Sequence, residues 1–189
     1  MNRQLVIAGL GGQGILTLVK LLSQLCEKAD IHFMATETHG LSKRGGSVVS
    51  FIRMGDYAAP LIPAGQADTI LALDYNEGLR YLDYLREDGL CYSVANKNPN
   101  NKFKPGARFV EINAAALLKQ HGLPINSVNV FMLGACITQL GFTEFSTELV
   151  KGVVRSINPK HASTIMQAYL LGYASQQVEP ETLPTAFAV

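Results

Sequence analysis

The first thirty residues combine a short apolar run, a glycine turn and a helical repeat of apolar positions. Residues 5–8 are all apolar, as in a strand buried on both faces of a sheet. From about residue 12 to residue 28, apolar side chains recur at three- and four-residue intervals, so one face of a helix is apolar. This pattern predicts the opening of a βαβ unit.

The alternation of strands and helices continues through the middle of the chain. Runs rich in β-branched, aromatic and other apolar residues predict further strands at residues 31–36, 47–53, 67–73, 91–95 and 108–112. Leu79, Leu82 and Leu85 predict one face of a helix that ends near residues 88–89. Between residues 96 and 106, Asn, Lys and Pro cluster without periodicity, which predicts an exposed loop.

Beyond Asn113 the pattern becomes helical. Helices are predicted over residues 114–120, 128–140, 147–156 and 159–174. Ser146 is placed to cap the third of these, and Asn158 followed by Pro159 to cap the fourth. Residues 176–189 contain prolines and no periodicity, which predicts an extended tail.

These elements predict one α/β domain over residues 1–175. The expected architecture has three layers, with a Rossmann-like, doubly wound and mostly parallel sheet followed by a helical C-terminal part. We find no internal repeat and no second domain boundary in the sequence.

Composition adds an expectation about partners. Of the 189 residues, 48% are hydrophobic and only 16% are charged, against roughly 25% charged in an average soluble protein. This favours a surface that is partly buried against another chain, and a monomer with Asn, Gln, Ser and Thr on its surface is the alternative. A formal net charge of +1 gives no broad field for a nucleic acid or an anionic membrane.

The cysteines and the N-terminal run exclude further classes of site. Cys26, Cys91 and Cys136 lie far apart, without the close spacing that iron-sulfur and zinc sites use, so we expect buried, reduced thiols and no metal site. The first apolar run is too short for a signal peptide or a membrane span. A cytoplasmic location is therefore expected.

The strongest local motif is a glycine turn with the spacing Gly-x-Gly-x-x-Gly. Its residues are Gly9, Gly11, Gly12, Gln13 and Gly14. Placed after a strand and before a helix, such a turn exposes backbone amides and the positive end of the helix dipole, which favours a phosphate. The same turn also occurs where a strand and a helix only pack closely, so both interpretations stay open.

A second polar, glycine-rich loop follows the second predicted strand. Its candidate ligand-binding residues, together with those at the end of the strand, are Glu37, His39, Ser42, Lys43, Arg44, Gly45 and Gly46. In a doubly wound sheet the two loops should face each other across one crevice. Arg44 and Lys43 would then neutralise phosphate oxygens. The alternatives are a salt bridge for Arg44 and a structural hydrogen bond for His39.

These two loops also carry a resemblance. Residues 5–15, with the turn Gly-Leu-Gly-Gly-Gln-Gly, resemble the opening of gamma-type domains of 2-oxoacid:ferredoxin oxidoreductases. Residues 37–48 resemble the indolepyruvate branch of that family. The likeness covers most of residues 4–172, with two departures: Asp74 stands where glutamate is more usual, and Gln167 where asparagine is frequent.

The resemblance implies a subunit of an enzyme that converts a 2-oxoacid and coenzyme A to acyl-CoA and carbon dioxide while ferredoxin takes the electrons. Because this chain has no Gly-Asp-Gly run and no clustered cysteines, thiamine diphosphate, magnesium and iron-sulfur clusters are expected on large catalytic partner subunits. The chain would be inactive alone, with a homodimer as one state when isolated. It would complete the active-site cleft and contact coenzyme A.

Two other functions compete with this interpretation. The first is an independent oxidoreductase that binds NAD or FAD through the glycine turn, with Glu37 at the ribose. The second is a docking or regulatory subunit without a catalytic role, in which both loops bind only a partner chain.

Overall fold

The computed structural model describes residues 1–39, 45–96 and 108–176. In these ranges the strands are β1 (Arg3–Leu10), β2 (Phe33–His39), β3 (Ser47–Met54), β4 (Ala67–Ala72), β5 (Leu85–Val94) and β6 (Arg108–Ile112). The helices are α1 (Ile15–Lys28), α2 (Tyr75–Arg80), α3 (Ala114–Gln120), α4 (Val128–Leu140), α5 (Thr147–Ile157) and α6 (Ala162–Ser175). The predicted tail from residue 177 onward, and all but the first residue of the predicted loop 96–106, lie outside the described residues.

The strands form one mixed sheet in the order β2-β3-β1-β4-β5-β6. Strand β3 is antiparallel to both β1 and β2, whereas β1, β4, β5 and β6 pair in parallel. The α/β class and a mostly parallel sheet are confirmed, but the β2-β3 hairpin was not predicted. The few residues between these strands are too short for the crossover of a dozen or more residues that parallel neighbours require.

Helices cover the two faces of the sheet unequally. Leu5 and Ile7 of β1 point into a large core with α1, α3, α4, α5 and α6. Val6 points the other way, into a smaller cluster that lies under α2 and the segment before β4. Alternate residues of one strand therefore serve different layers, which confirms the predicted three-layer arrangement.

Helix α4 runs from the carboxyl edge of the parallel strands to their amino edge. Its last residue, Leu140, accepts a hydrogen bond through its carbonyl oxygen from Arg3 Nε at the start of β1 (2.9 Å). Helix α6 packs on α4 so closely that Gly134 and Gly172 leave no room for a Cβ against the facing backbone. These contacts fix the start of α4 beside the glycine turn.

Several predicted boundaries are wrong. Strand β2 begins at residue 33 rather than 31 and ends at residue 39 rather than 36, and β5 begins at residue 85 rather than 91. The helix predicted on Leu79, Leu82 and Leu85, with its end near residues 88–89, is instead three elements: α2, which ends at Arg80, then a short 3-10 turn, then the beginning of β5. Leu82 and Leu85 are buried in one cluster, but Leu82 belongs to the turn and Leu85 to the strand. Their three-residue spacing therefore does not reflect one helix. Helix α1 begins at residue 15 rather than 12, and α6 at residue 162 rather than 159.

Candidate functional site

The glycine turn is closed by its own glutamine. The Oε1 atom of Gln13 accepts a hydrogen bond from the Leu10 amide (2.7 Å), and the Gln13 amide donates to the Leu10 carbonyl (3.1 Å). Gly12 and Gly14 have φ angles of 96° and 83°, in the region that side chains other than glycine rarely adopt. Gln13 therefore shapes the turn from within, which leaves the amides at the start of α1 available.

The end of the second glycine-rich loop meets the glycine turn, as predicted, although by a different route. The Gly11 amide donates to the Gly46 carbonyl (2.9 Å), and a Cβ on Gly11 would stand 3.3 Å from the Gly45 nitrogen. The contact arises because β3 pairs antiparallel to β1, which places Leu10 opposite Ser47. The predicted crevice between neighbouring parallel strands would not by itself place these two residues opposite each other.

Several predicted site residues cannot be located at this site. Ser42, Lys43 and Arg44 lie outside the described residues. The backbones of Glu37 and His39 belong to β2 and pair with β3. Their proposed contacts with a ligand therefore stay predictions.

A cleft of about 910 Å³ opens next to the glycine turn. Three parts of the chain form its walls: the turn with the start of α1, the segment that leads into α4, and the α5-α6 connection with the start of α6. Its polar or flexible lining residues include Gly12, Gln13, Gly14, Thr17, Asn126, Ser127, Asn129, Asn158, His161, Thr164 and Gln167. No Lys, Arg, Asp or Glu of the described residues lines it.

The N-termini of α1, α4 and α6 converge on this cleft. The residues that precede these helices, Gly14, Ser127 and His161, all line it. None of the three makes a side-chain capping bond, and no acidic residue lies in the first turn of any of these helices. By contrast, Asp74 caps α2 and Asn113 caps α3. The positive ends of three helix dipoles thus face the cleft without a carboxylate from their own first turns.

Two further groups shape the cleft wall. Asn129 bridges α4 and the turn, because its Nδ2 donates to the Gly14 carbonyl (3.3 Å) while its Oδ1 accepts from the Val130 amide (2.9 Å). Ser127 is only 7% exposed, and its hydroxyl has no hydrogen-bond partner among the described residues. The cleft therefore offers helix amides and a hydroxyl to an anionic ligand.

Cysteine chemistry does not contribute to this site. All three cysteines are free and buried, as predicted. Burial raises the pKa of the thiols of Cys26 and Cys136 from 9.0 to about 12 and that of Cys91 further still. Over residues 1–39, 45–96 and 108–176, no group of His, Cys, Asp and Glu side chains could hold a metal ion. Within the same ranges, no helix has the length and apolar character to cross a membrane.

Sequence interpretation did not identify the cleft residues contributed by α4 and α6. Ser127, Asn129, His161 and Thr164 are separated from the glycine turn by more than a hundred residues of chain. The available signal was indirect: two predicted helices begin without an acidic residue in their first turn, unlike α5, which starts with Ser146 as its cap and Glu148.

Comparisons with known proteins extend these observations. Residues 4–176 match the family described as pyruvate ferredoxin/flavodoxin oxidoreductase. The indolepyruvate oxidoreductase subunit IorB of Archaeoglobus fulgidus is 42% identical over 92% of this chain and 94% of that relative. The subunit of the same name from Pyrococcus horikoshii is 36% identical over 89% of this chain and 93% of that relative.

Solved structures share the fold. The gamma subunit of the keto/oxoacid ferredoxin oxidoreductase of Geobacter sulfurreducens superposes with a TM-score of 0.73 at 20% identity, over 93% of this chain and 98% of that one. The 2-oxoglutarate:ferredoxin oxidoreductase of Magnetococcus marinus, solved with 2-oxoglutarate, coenzyme A and succinyl-CoA, superposes with a TM-score of 0.75 at 16% identity. There the match covers 98% of this chain but 32% of the longer one. The resemblance found in the two glycine-rich loops is confirmed, and the chain belongs to the pyruvate ferredoxin/flavodoxin oxidoreductase family.

Proposed function

We propose that this chain is the small subunit of an indolepyruvate-type 2-oxoacid:ferredoxin oxidoreductase and that its cleft holds the phosphate groups of coenzyme A. The observation that carries the proposal is the convergence on one cleft of three helix N-termini whose preceding residues make no side-chain capping bond. Each such terminus acts as roughly half a positive charge. Together they provide a stabilising field for an anion without any cationic side chain.

The lining residues of the described part of the chain, which include no acidic side chain, support the same ligand. A carboxylate in the wall would repel phosphate, and the described lining residues include none. Ser127 adds a hydroxyl without a partner. We expect Lys43 and Arg44 of the second loop to supply cationic contacts, Arg44 in bidentate fashion. The M. marinus relative, which binds coenzyme A, shares this fold.

The proposed assembly places the redox chemistry on partner chains. The relatives from A. fulgidus and P. horikoshii are named indolepyruvate oxidoreductase subunits, which favours indolepyruvate or a related arylpyruvate as the 2-oxoacid. The M. marinus chain contains much more than the part that matches this one. We therefore infer large partner subunits with thiamine diphosphate, magnesium and iron-sulfur clusters, whose electrons reach ferredoxin. This chain would bind and orient the co-substrate and complete the cleft around the reaction.

Calorimetry on the assembled complex tests the ligand. Gly11→Ala and Arg44→Ala should each weaken coenzyme A binding, the first because the added methyl pushes the two loops apart and the second by on the order of tenfold, as for a lost charged hydrogen bond. Lys119→Ala, at an exposed position at the end of α3, is the control. Pantetheine, which lacks the phosphate groups, should bind with the same affinity to all four proteins.

Steady-state turnover separates the remaining alternatives. The complex should reduce ferredoxin faster with indolepyruvate than with pyruvate or 2-oxoglutarate. Unchanged coenzyme A affinity and full turnover in both loop variants would instead support a docking subunit. Binding of NAD or FAD to the isolated chain would support the independent oxidoreductase.

A further inference from the structure

One carboxylate is buried beside the point where the second glycine-rich loop enters β3. Glu77 is 4% exposed and belongs to α2. Asp74 fixes the start of that helix, since its Oδ1 accepts from the amides of Asn76 (3.0 Å) and Glu77 (3.1 Å). Gly78 lets the helix lie close on the sheet, because a Cβ there would stand 2.7 Å from the Ala72 Cβ. Glu77 is thus carried by a rigidly seated element.

The main partner of this carboxylate is a serine hydroxyl. Ser47 Oγ donates to Glu77 Oε2 at 2.5 Å, and a hydrogen bond to a carboxylate is roughly twice as strong as a neutral one. The other oxygen, Oε1, lies 3.6 Å from Arg80 Nη2, whose side chain is 62% exposed. Solvent screening weakens that ion pair, so the bond to Ser47 dominates.

Ser47 connects this carboxylate to the candidate site. It follows Gly46, whose carbonyl accepts from the Gly11 amide (2.9 Å), and it stands opposite Leu10 in the β1-β3 register. A single side chain of α2 therefore holds the end of the second loop against the glycine turn. Glu77 itself does not line the cleft, so its negative charge does not stand in the cleft wall.

We propose that Glu77 is a positioning residue that holds Ser47, and through it Gly46, so that Gly46 stays hydrogen-bonded to Gly11 at the glycine turn when coenzyme A binds. The inference rests on the proposed function of the cleft. Glu77 acts on the ligand only through the loop, which distinguishes it from a binding residue. Its removal should therefore affect affinity for coenzyme A and leave the 2-oxoacid site untouched.

Steady-state kinetics of the assembled complex test this role. Glu77→Gln keeps the shape of the side chain and removes the charge, and Ser47→Ala removes the donor. Ser47→Ala should raise KM for coenzyme A on the order of tenfold, the effect of one hydrogen bond to a charged group. Glu77→Gln should raise it by less, because the amide oxygen can still accept a neutral bond from Ser47. In both variants kcat and KM for the 2-oxoacid should stay unchanged. The double variant should show no increase beyond that of Ser47→Ala, because both changes act on the same bond. Glu27→Gln, at an exposed position near the end of α1, is the matched control.

The outcomes separate this proposal from the function of the cleft. If Gly11→Ala raises KM for coenzyme A but Glu77→Gln and Ser47→Ala do not, the positioning role is wrong and the cleft function stands. If melting temperature, kcat and both KM values shift together, Glu77 is only structural and the proposal is overturned. If Gly11→Ala and Arg44→Ala also leave coenzyme A kinetics unchanged, the proposed function fails and the positioning role falls with it.

Discussion

A carboxylate introduced at the start of α6 should stabilise the protein and yet weaken its ligand binding. Thr164 lies in the first turn of α6 and lines the cleft. In Thr164→Asp, the new charge interacts favourably with the helix dipole by about 0.3–1 kcal/mol. For a chain of this size the melting temperature should rise by about 1–4 °C.

The same charge should repel a phosphate in the cleft. A sphere of about 910 Å³ has a radius of about 6 Å, so a charge on the wall lies about that far from the centre. At this distance two unit charges repel by about 0.7 kcal/mol in bulk water and by about 3 kcal/mol at an effective dielectric constant of 20. Coenzyme A should therefore bind roughly 3- to 100-fold more weakly.

Two control variants isolate the electrostatic effect. Thr164→Asn has nearly the same shape as Asp without the charge and should leave coenzyme A affinity close to that of the wild type. Ala116→Asp places the same charge in the first turn of α3, at an exposed position that does not line the cleft, and should stabilise without weakening binding. Calorimetry and thermal melting of the complex measure both quantities. Unaltered coenzyme A affinity in Thr164→Asp, with the expected gain in melting temperature, would refute the assignment of the anion site to these helix termini.

Two further predictions concern stability. Gly172→Ala should destabilise the protein by about 1–3 kcal/mol because its Cβ would collide with the Phe131 backbone. Gly152→Ala, with open space around it, should stabilise the protein by about 0.5–1 kcal/mol. Denaturation midpoints that shift in the same direction in both variants would contradict this. Because burial raises the pKa of the Cys26 and Cys136 thiols to about 12, these neutral thiols contribute stability below pH 9, which should be lost as the pH rises from 9 toward 12. Unfolding curves at pH 8 and pH 10.5 measure that loss, and rapid reaction of a thiol reagent with the native protein at pH 8 would exclude the buried state.

Local patterns predicted the strands and helices well, but not how some of them connect. The periodicity that predicted α1, α4 and α5 is a property of each segment alone. The β2-β3 hairpin depends on loop length, and the short stretch between those strands already excluded a parallel crossover. The three-residue spacing of Leu79, Leu82 and Leu85 led to a wrong prediction. These side chains pack in one cluster, but they come from a helix, a turn and a strand.

The candidate site was predictable only where its residues are adjacent in sequence. The glycine turn follows from spacing and context, and the contact between Gly11 and Gly46 from the expectation that the two loops meet. Ser127, His161 and Thr164 reach the cleft through the packing of α4 and α6, which no local motif encodes. No local motif singled out Glu77 as a site residue, since its bond to Ser47 depends on how α2 lies on the sheet.

The proposed anion-binding character of the cleft rests on topology more than on side chains. A helix that follows a parallel strand begins at the carboxyl edge of the sheet, as α1 does. Helix α4 has the same direction, because its last carbonyl meets Arg3 at the opposite edge, and α5 returns the chain so that α6 also begins at the cleft. Under the proposed function, a phosphate is therefore attracted without a charged side chain of the described residues in the cleft wall. For this reason the decisive test adds a charge to that wall, as in Thr164→Asp.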